Sequence, residues 1–171
     1  MSNDTADAGV PWLSGAEMAS WMALTAMLMT LPPAIDAQLK RDSGLNFFEY
    51  SILVALSRPD NRAVQMTSLA MVAGGSLSRL SHAVSRLERQ GWVTRRVQTG
   101  EFRCTEAVLT EEGMAVLAAA APEHVREARR LVFDVLSAEQ VEQLQRIARQ
   151  IVGAAAPDKV GLLDLPPGEA C

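Results

Sequence analysis

The sequence predicts a mainly α-helical chain with one small β-hairpin. Three observations carry this. Apolar residues recur at helical spacing over most of the length. Ser, Thr or Asn residues that can cap a helix stand just before several of these stretches. Only residues 92–109 change to strand-like composition, with β-branched and aromatic residues on either side of a Thr-Gly turn.

Residues 1–13 are expected to be a flexible N-terminus, acidic and polar at first and unlike a cleaved signal peptide. Ser14-Gly15-Ala16-Glu17 is a capping box that opens an apolar helix containing Trp21, Leu24, Met27 and Leu28. Pro32-Pro33 interrupts the pattern, which resumes through Ile35 and Leu39 to Gly44 as one kinked helix or two short ones. Asn46, followed by Glu49, caps a helix through Ser57 whose apolar set is Phe47, Tyr50, Ile52, Leu53 and Leu56. Pro59-Asp60-Asn61 is a turn, Thr67 to Val72 a short helix, and Ala73-Gly74-Gly75 a second turn.

The stretch from Gly74 to Thr110 is the most informative. Leu77, Leu80, Val84 and Leu87 align on one face of a helix that Ser76 caps, and Arg79, His82, Arg86 and Arg89 repeat that spacing on another. One face is expected to dock into a core while the other presents donors outward. Gly91 suits the left-handed residue past the helix end. Trp92 to Val97 then reads as a strand, Thr99-Gly100 as a turn and Cys104 to Leu109 as the return strand. Helix, stop and hairpin in this order describe a winged helix-turn-helix. Thr110 caps a long alanine-rich helix toward Phe133 with a kink at Pro122, and Ser137 with Gln140 caps a last helix through Val152. From Ala154 onward prolines and glycines break the periodicity, so a mobile tail is expected, with Val160, Leu162, Leu163 and Leu165 available to a partner.

The chain of 171 residues suits one domain, or a DNA-reading lobe plus a dimerisation lobe. No apolar run is seen that approaches the roughly 18 residues of a membrane span, and the cytoplasm is the expected compartment. The net charge of −4 does not exclude nucleic acid, because charge is unevenly placed. Between Arg79 and Arg103 there are six arginines (79, 86, 89, 95, 96 and 103) against only Glu88 and Glu101. A basic patch on an acidic body binds a polyanion locally, and arginine suits bidentate contacts with guanine or phosphate. The cysteines Cys104 and Cys171 have no metal-ligand spacing, and Cys104 reads as a small strand residue.

Several stretches resemble the MarR-type (multiple antibiotic resistance regulator) transcription factors. They are Ser76-Leu77-Ser78-Arg79-Leu80-Ser81, Arg86-Leu87-Glu88, Gly91-Trp92-Val93, and Ala107-Val108-Leu109-Thr110 followed by Gly113. The resemblance covers about residues 14–152. It implies an N-terminal dimerisation and ligand-pocket region (14–45), a winged helix-turn-helix (46–110), C-terminal dimerisation helices (111–153) and a tail (154–171). It also implies a twofold dimer on an inverted-repeat site in double-stranded DNA, acting as a repressor released by a small effector. Arg103 matches the family's wing-tip arginine, where Glu101-Phe102-Arg103 replaces the usual Asp-x-Arg. Some relatives sense peroxide through a cysteine near the N-terminus, a region that has none here.

The candidate DNA-reading residues are therefore Ser76, Ser78, Arg79, Ser81, His82, Arg86, Arg89, Arg95, Arg96 and Arg103. Each has a plainer reading: Ser76 only caps, Ser78, Arg79, Ser81 and His82 are solvated surface, and Arg86, Arg89, Arg95 and Arg96 meet phosphates or salt-bridge Glu88. Relatives bind anionic aromatic compounds between the dimer helices and the DNA-reading lobe. Trp12, Trp21, Met22, Met29, Phe47 and Tyr50 are the candidates for such a pocket, against a simple core role. His124 reads as surface. An enzyme is disfavoured, because no phosphate-cradling loop, metal-ligand spacing or His-paired nucleophile is present, and no cofactor is expected. A winged-helix module for protein partners, or a DNA-binding regulator without ligand control, remains the alternative.

Overall fold

A computed structural model describes residues 9–98 and 104–164. The chain divides into two compact units, Met1–Ala34 and Ile35–Cys171.

The first unit is dominated by helix α1, Gly15–Ser43, which continues into the second unit. The expected capping box forms: Ser14 N donates to Glu17 Oε2 at 2.8 Å, and Glu17 N donates to Ser14 Oγ at 3.3 Å. Pro32 and Pro33 lie inside the helix, which passes through them as one element despite the amide donors they lack. Trp12, Trp21, Met22, Leu28 and Met29 are all exposed. Contrary to the sequence expectation, α1 contains an 18-residue window of mean hydropathy 1.4, so it is long and apolar enough to cross a membrane. An interface helix meets the same criterion, since both must be apolar over many turns.

In the second unit, α2 (Phe47–Ser57) starts at a reciprocal box between Asn46 and Glu49. Next come β1 (Ala63–Gln65), α3 (Met66–Val72) and α4 (Leu77–Arg89). The strands β2 (Val93–Gln98) and β3 (Cys104–Leu109) form the hairpin, and the long helix α5 (Glu111–Leu131) follows. A short 3-10 turn at Phe133–Val135 leads into α6 (Ala138–Ala155), capped by Ser137 and Gln140 as its sequence predicts. The core is aliphatic: Leu39, Leu45, Ile52, Leu53, Leu56, Leu69, Leu80, Val84 and Leu87 are sealed from solvent. Burial of such side chains supplies most of the folding free energy, at about 1.5–3 kcal/mol each.

Both turns flanking α4 use glycine at positive φ, Gly74 at 70° and Gly91 at 78°. After α4, Gly91 N donates to Glu88 O at 2.9 Å and Trp92 N to Leu87 O at 3.0 Å. That paired closure stops the helix and throws the chain into β2.

Four further expectations need correction. A third strand, β1, pairs antiparallel with β3 (Ala63 opposite Val108), giving the order β1-β3-β2. Three residues are too few to show an alternating pattern, so periodicity cannot reveal this strand. Leu77 has the right spacing for the core but is 51% exposed. It is the first residue of α4, and the buried layer begins one turn later with Leu80, Ala83, Val84 and Leu87. The tail is not wholly irregular: Pro157–Asp164 forms a 3-10 helix packed on α6, with Val160 near Gly153. His124 is not plain surface; its ring lies 4.4 Å from that of Tyr50 and 6.2 Å from that of Phe47. The turn Thr99-Gly100 and the wing-tip residues Glu101, Phe102 and Arg103 lie outside the described residues.

Candidate nucleic-acid interface

Helix α4 presents Ser76, Ser78, Arg79, Ser81 and His82 to solvent along its first two turns, with Arg86 and Arg89 further on. Ser76 has a structural task as well, because its hydroxyl accepts the Arg79 N–H at 3.2 Å. Arg79 lies with its guanidinium 4.2 Å from the centre of the Phe48 ring. A guanidinium held over a ring by cation–π attraction spends none of its N–H donors on that contact. Those donors have no partner among the described residues. The side chain is thus held in place while its fork stays unspent. Phe48, on α2, was missed by sequence reasoning because its link to Arg79 spans 31 positions.

The other arginines behave differently. Arg86 Nε donates to Glu49 Oε1 at 2.7 Å, and Glu49 is buried. Arg96 pairs with Glu106 at 2.8 Å, its cross-strand neighbour in the hairpin. Arg95 is the most engaged. It donates to Glu88 at 2.5 Å, to the Ser81 carbonyl at 2.8 Å and to Ser85 Oγ at 3.1 Å. Arg95 therefore fastens β2 to α4. Arg89 makes only a 3.3 Å bond from Nε to the Ser85 carbonyl. Among the described residues, Arg79 and Arg89 are the arginines of this region without an acidic partner, whereas Arg86, Arg95 and Arg96 neutralise Glu49, Glu88 and Glu106.

Each unit carries a groove of its own. In the second unit, one of about 490 Å³ separates the start of α2 from the end of α4, lined by Glu49, Arg86, Leu87, Arg89 and Trp92 among others. In the first unit, Trp21 lines a groove of about 390 Å³ with Leu13, Ala16 and Leu24. Of the residues expected to line a ligand pocket, Trp12, Met22 and Met29 stand exposed on the first unit. Phe47 is about one-third exposed and Tyr50 buried on the second.

Around Tyr50 the structure adds a polar feature. His124 Nδ1 is buried with no hydrogen-bond partner among the described residues. Burial holds the imidazole pKa below its ordinary value of 6.5, since charging it there sacrifices hydration. In the unfolded chain the ring takes up its proton near the ordinary value, so the unfolded state binds more protons below it. Unfolding free energy measured with urea is therefore expected to decline as pH falls from 7 through 6.5 toward 5. A His124→Phe variant should show a shallower decline across that window; an identical slope would contradict the assignment.

A three-helix reading unit followed by a strand hairpin, with an open polar face on the second helix of the turn, defines the class of winged helix-turn-helix regulators. The overall backbone matches that of Sco3205, a MarR family transcriptional regulator from Streptomyces coelicolor solved in complex with DNA. The TM-score is 0.82 and the identity 39%, over 86% of this chain and 96% of that one. AbsC, a MarR family transcriptional regulator from the same organism, matches with a TM-score of 0.80 at 31% identity, over 85% of this chain and 98% of its own. The chain belongs to the MarR family of transcriptional regulators. The transcriptional repressor MprA of Escherichia coli K12 is 26% identical over 115 residues, 67% of this chain. The similarity spans 65% of MprA's own length. No family model matches the chain.

Proposed function

We propose that the protein binds double-stranded DNA in the cytoplasm as a twofold dimer on an inverted repeat and represses transcription there. The observation that carries this reading is the exposed start of α4, where Arg79 is braced on Phe48 with its donors open. Arg95 fixes the hairpin to that helix, so the two elements meet a duplex as one body. Ser76, Ser78, Ser81 and His82 supply short donors and acceptors for base edges or phosphates. Arg89, and Arg103 at the wing tip, meet the backbone or the minor groove. Arg86, Arg95 and Arg96 act mainly inside the chain, and their role in DNA binding is to set the geometry of the reading helix and hairpin.

Dimerisation is supported by the apolar surface of α1 and by the exposed Phe133, Val135, Ile147 and Ile151 on the C-terminal elements. Such patches are unusual for a lone soluble chain. Control by a small effector is supported by the buried Nδ1 of His124 beside Tyr50, a polar atom without a partner among the described residues.

Selection of bound sequences from a random DNA pool tests the reading. An inverted repeat should be enriched, with half-sites about one helical turn apart. Affinity for it should fall steeply as salt rises, because arginines that meet phosphates release counterions. Absence of any enriched sequence would overturn the proposal. A salt-independent affinity would favour a protein partner instead.

A further inference from the structure

The exposure of Leu77 calls for an explanation, since helical spacing assigns it to the core. It is the only apolar side chain that α4 exposes; Leu80, Ala83, Val84 and Leu87 are sealed, and the remaining exposed positions are serine, arginine or histidine. A single exposed leucine on a protein surface is ordinary. This one occupies the first position of the helix whose N-terminal turns reach base edges in folds of this kind. It stands between Ser76 and Ser78 in sequence. Ser81 follows one turn along, roughly 40° away around the helix axis. Arg95 grips the Ser81 carbonyl from β2, so this stretch of α4 is held rigidly.

The floor of the major groove offers hydrogen-bonding atoms at every base pair but only one apolar group, the C5 methyl of thymine. An apolar side chain in a row of hydroxyls and guanidiniums can gain only from that group. We infer that Leu77 is a specificity-determining residue that packs against a thymine methyl in each half-site. The inference rests on the DNA-binding reading above and adds a base to it. Arg79 selects by donated hydrogen bonds, whereas Leu77 selects by excluding water from one methyl.

The test is a cycle between protein and DNA. In the sequence enriched by selection, each thymine is replaced in turn by deoxyuridine, which differs only in lacking the methyl. Binding is then measured for the wild-type protein and for Leu77→Ala. Because Leu77 is half exposed and alanine is a good helix former, the variant should fold, with an unchanged melting temperature as the control. At one thymine of each half-site, wild type should lose about fourfold in affinity, the factor expected from one methyl's worth of apolar burial. Leu77→Ala, which removes the contact from both half-sites, should bind the original site about 16-fold more weakly and be indifferent to uracil at either position. If every uracil substitution affects both proteins equally, or none affects wild type, Leu77 does not read thymine, while DNA binding stands. If selection enriches no sequence, the inference falls together with the reading beneath it.

Discussion

A Gly113→Ala variant is expected to lose about 3 kcal/mol of stability, at the upper end of what forced overpacking costs. A Cβ at this position would lie 2.1 Å from the Trp92 carbonyl oxygen, 2.9 Å from its carbon and 2.7 Å from Leu109 Cδ1. Two of those three atoms are backbone, so no side-chain rotation relieves the clash. The same carbonyl accepts the Thr110 N–H at 3.1 Å. Gly113 N donates to Thr110 Oγ1 at 3.0 Å, and that hydroxyl donates to the Gly91 carbonyl at 2.8 Å. The first turn of α5 is thus pressed onto the junction where α4 ends and β2 begins. Pushing α5 away breaks the cap and loosens the hairpin together. In a chain of this size the melting temperature should fall by about 6–12 °C. A shift within 1–2 °C would show that the contact is not as tight as the geometry demands.

The second large effect falls on DNA affinity. Arg79→Ala should cost roughly 1–3 kcal/mol at each half-site, the range for a bidentate contact to guanine. A twofold dimer loses both contacts, so the selected operator should bind about 30-fold to 10⁴-fold more weakly. Random-sequence DNA should lose much less, because one phosphate contact per helix is a small part of non-specific binding. Arg79→Lys separates charge from geometry. Lysine keeps the cation but not the planar fork or the stacking face, so it should restore binding to random DNA and leave the operator weak. Equal losses on both DNAs for the alanine variant would remove Arg79 from base reading and leave it as a phosphate contact.

Much of the architecture could be read from the chain because its signals are local. The caps at Ser14, Asn46, Ser76, Thr110 and Ser137 each form a bond to a backbone N–H three residues on. The stop at Gly91 needs only the preceding turn of helix. Such bonds are determined by residues within four or five positions, so sequence spacing reports them directly. The basic character of residues 79–96 was equally plain.

What spacing could not report was the use made of each charge and each apolar side chain. Arg86 reads as a DNA contact until Glu49, 37 positions earlier, is placed against it. Arg95 and Arg96 are diverted in the same way by Glu88 and Glu106. Arg79 gains its platform from Phe48 on a different helix. Leu77 keeps the period of the core yet lies beyond its edge, and His124 is half-buried against Tyr50 and Phe47.

The sequence alone determined the helices, their ends, the hairpin and the excess of arginine, since hydrogen bonds within one turn and composition within one segment need no distant partner. Only the tertiary structure decided which arginines remain open, which leucine faces outward and which histidine is half-buried. Burial and ion pairing belong to segments brought together by folding, and neither charge nor periodicity within one segment names the neighbour.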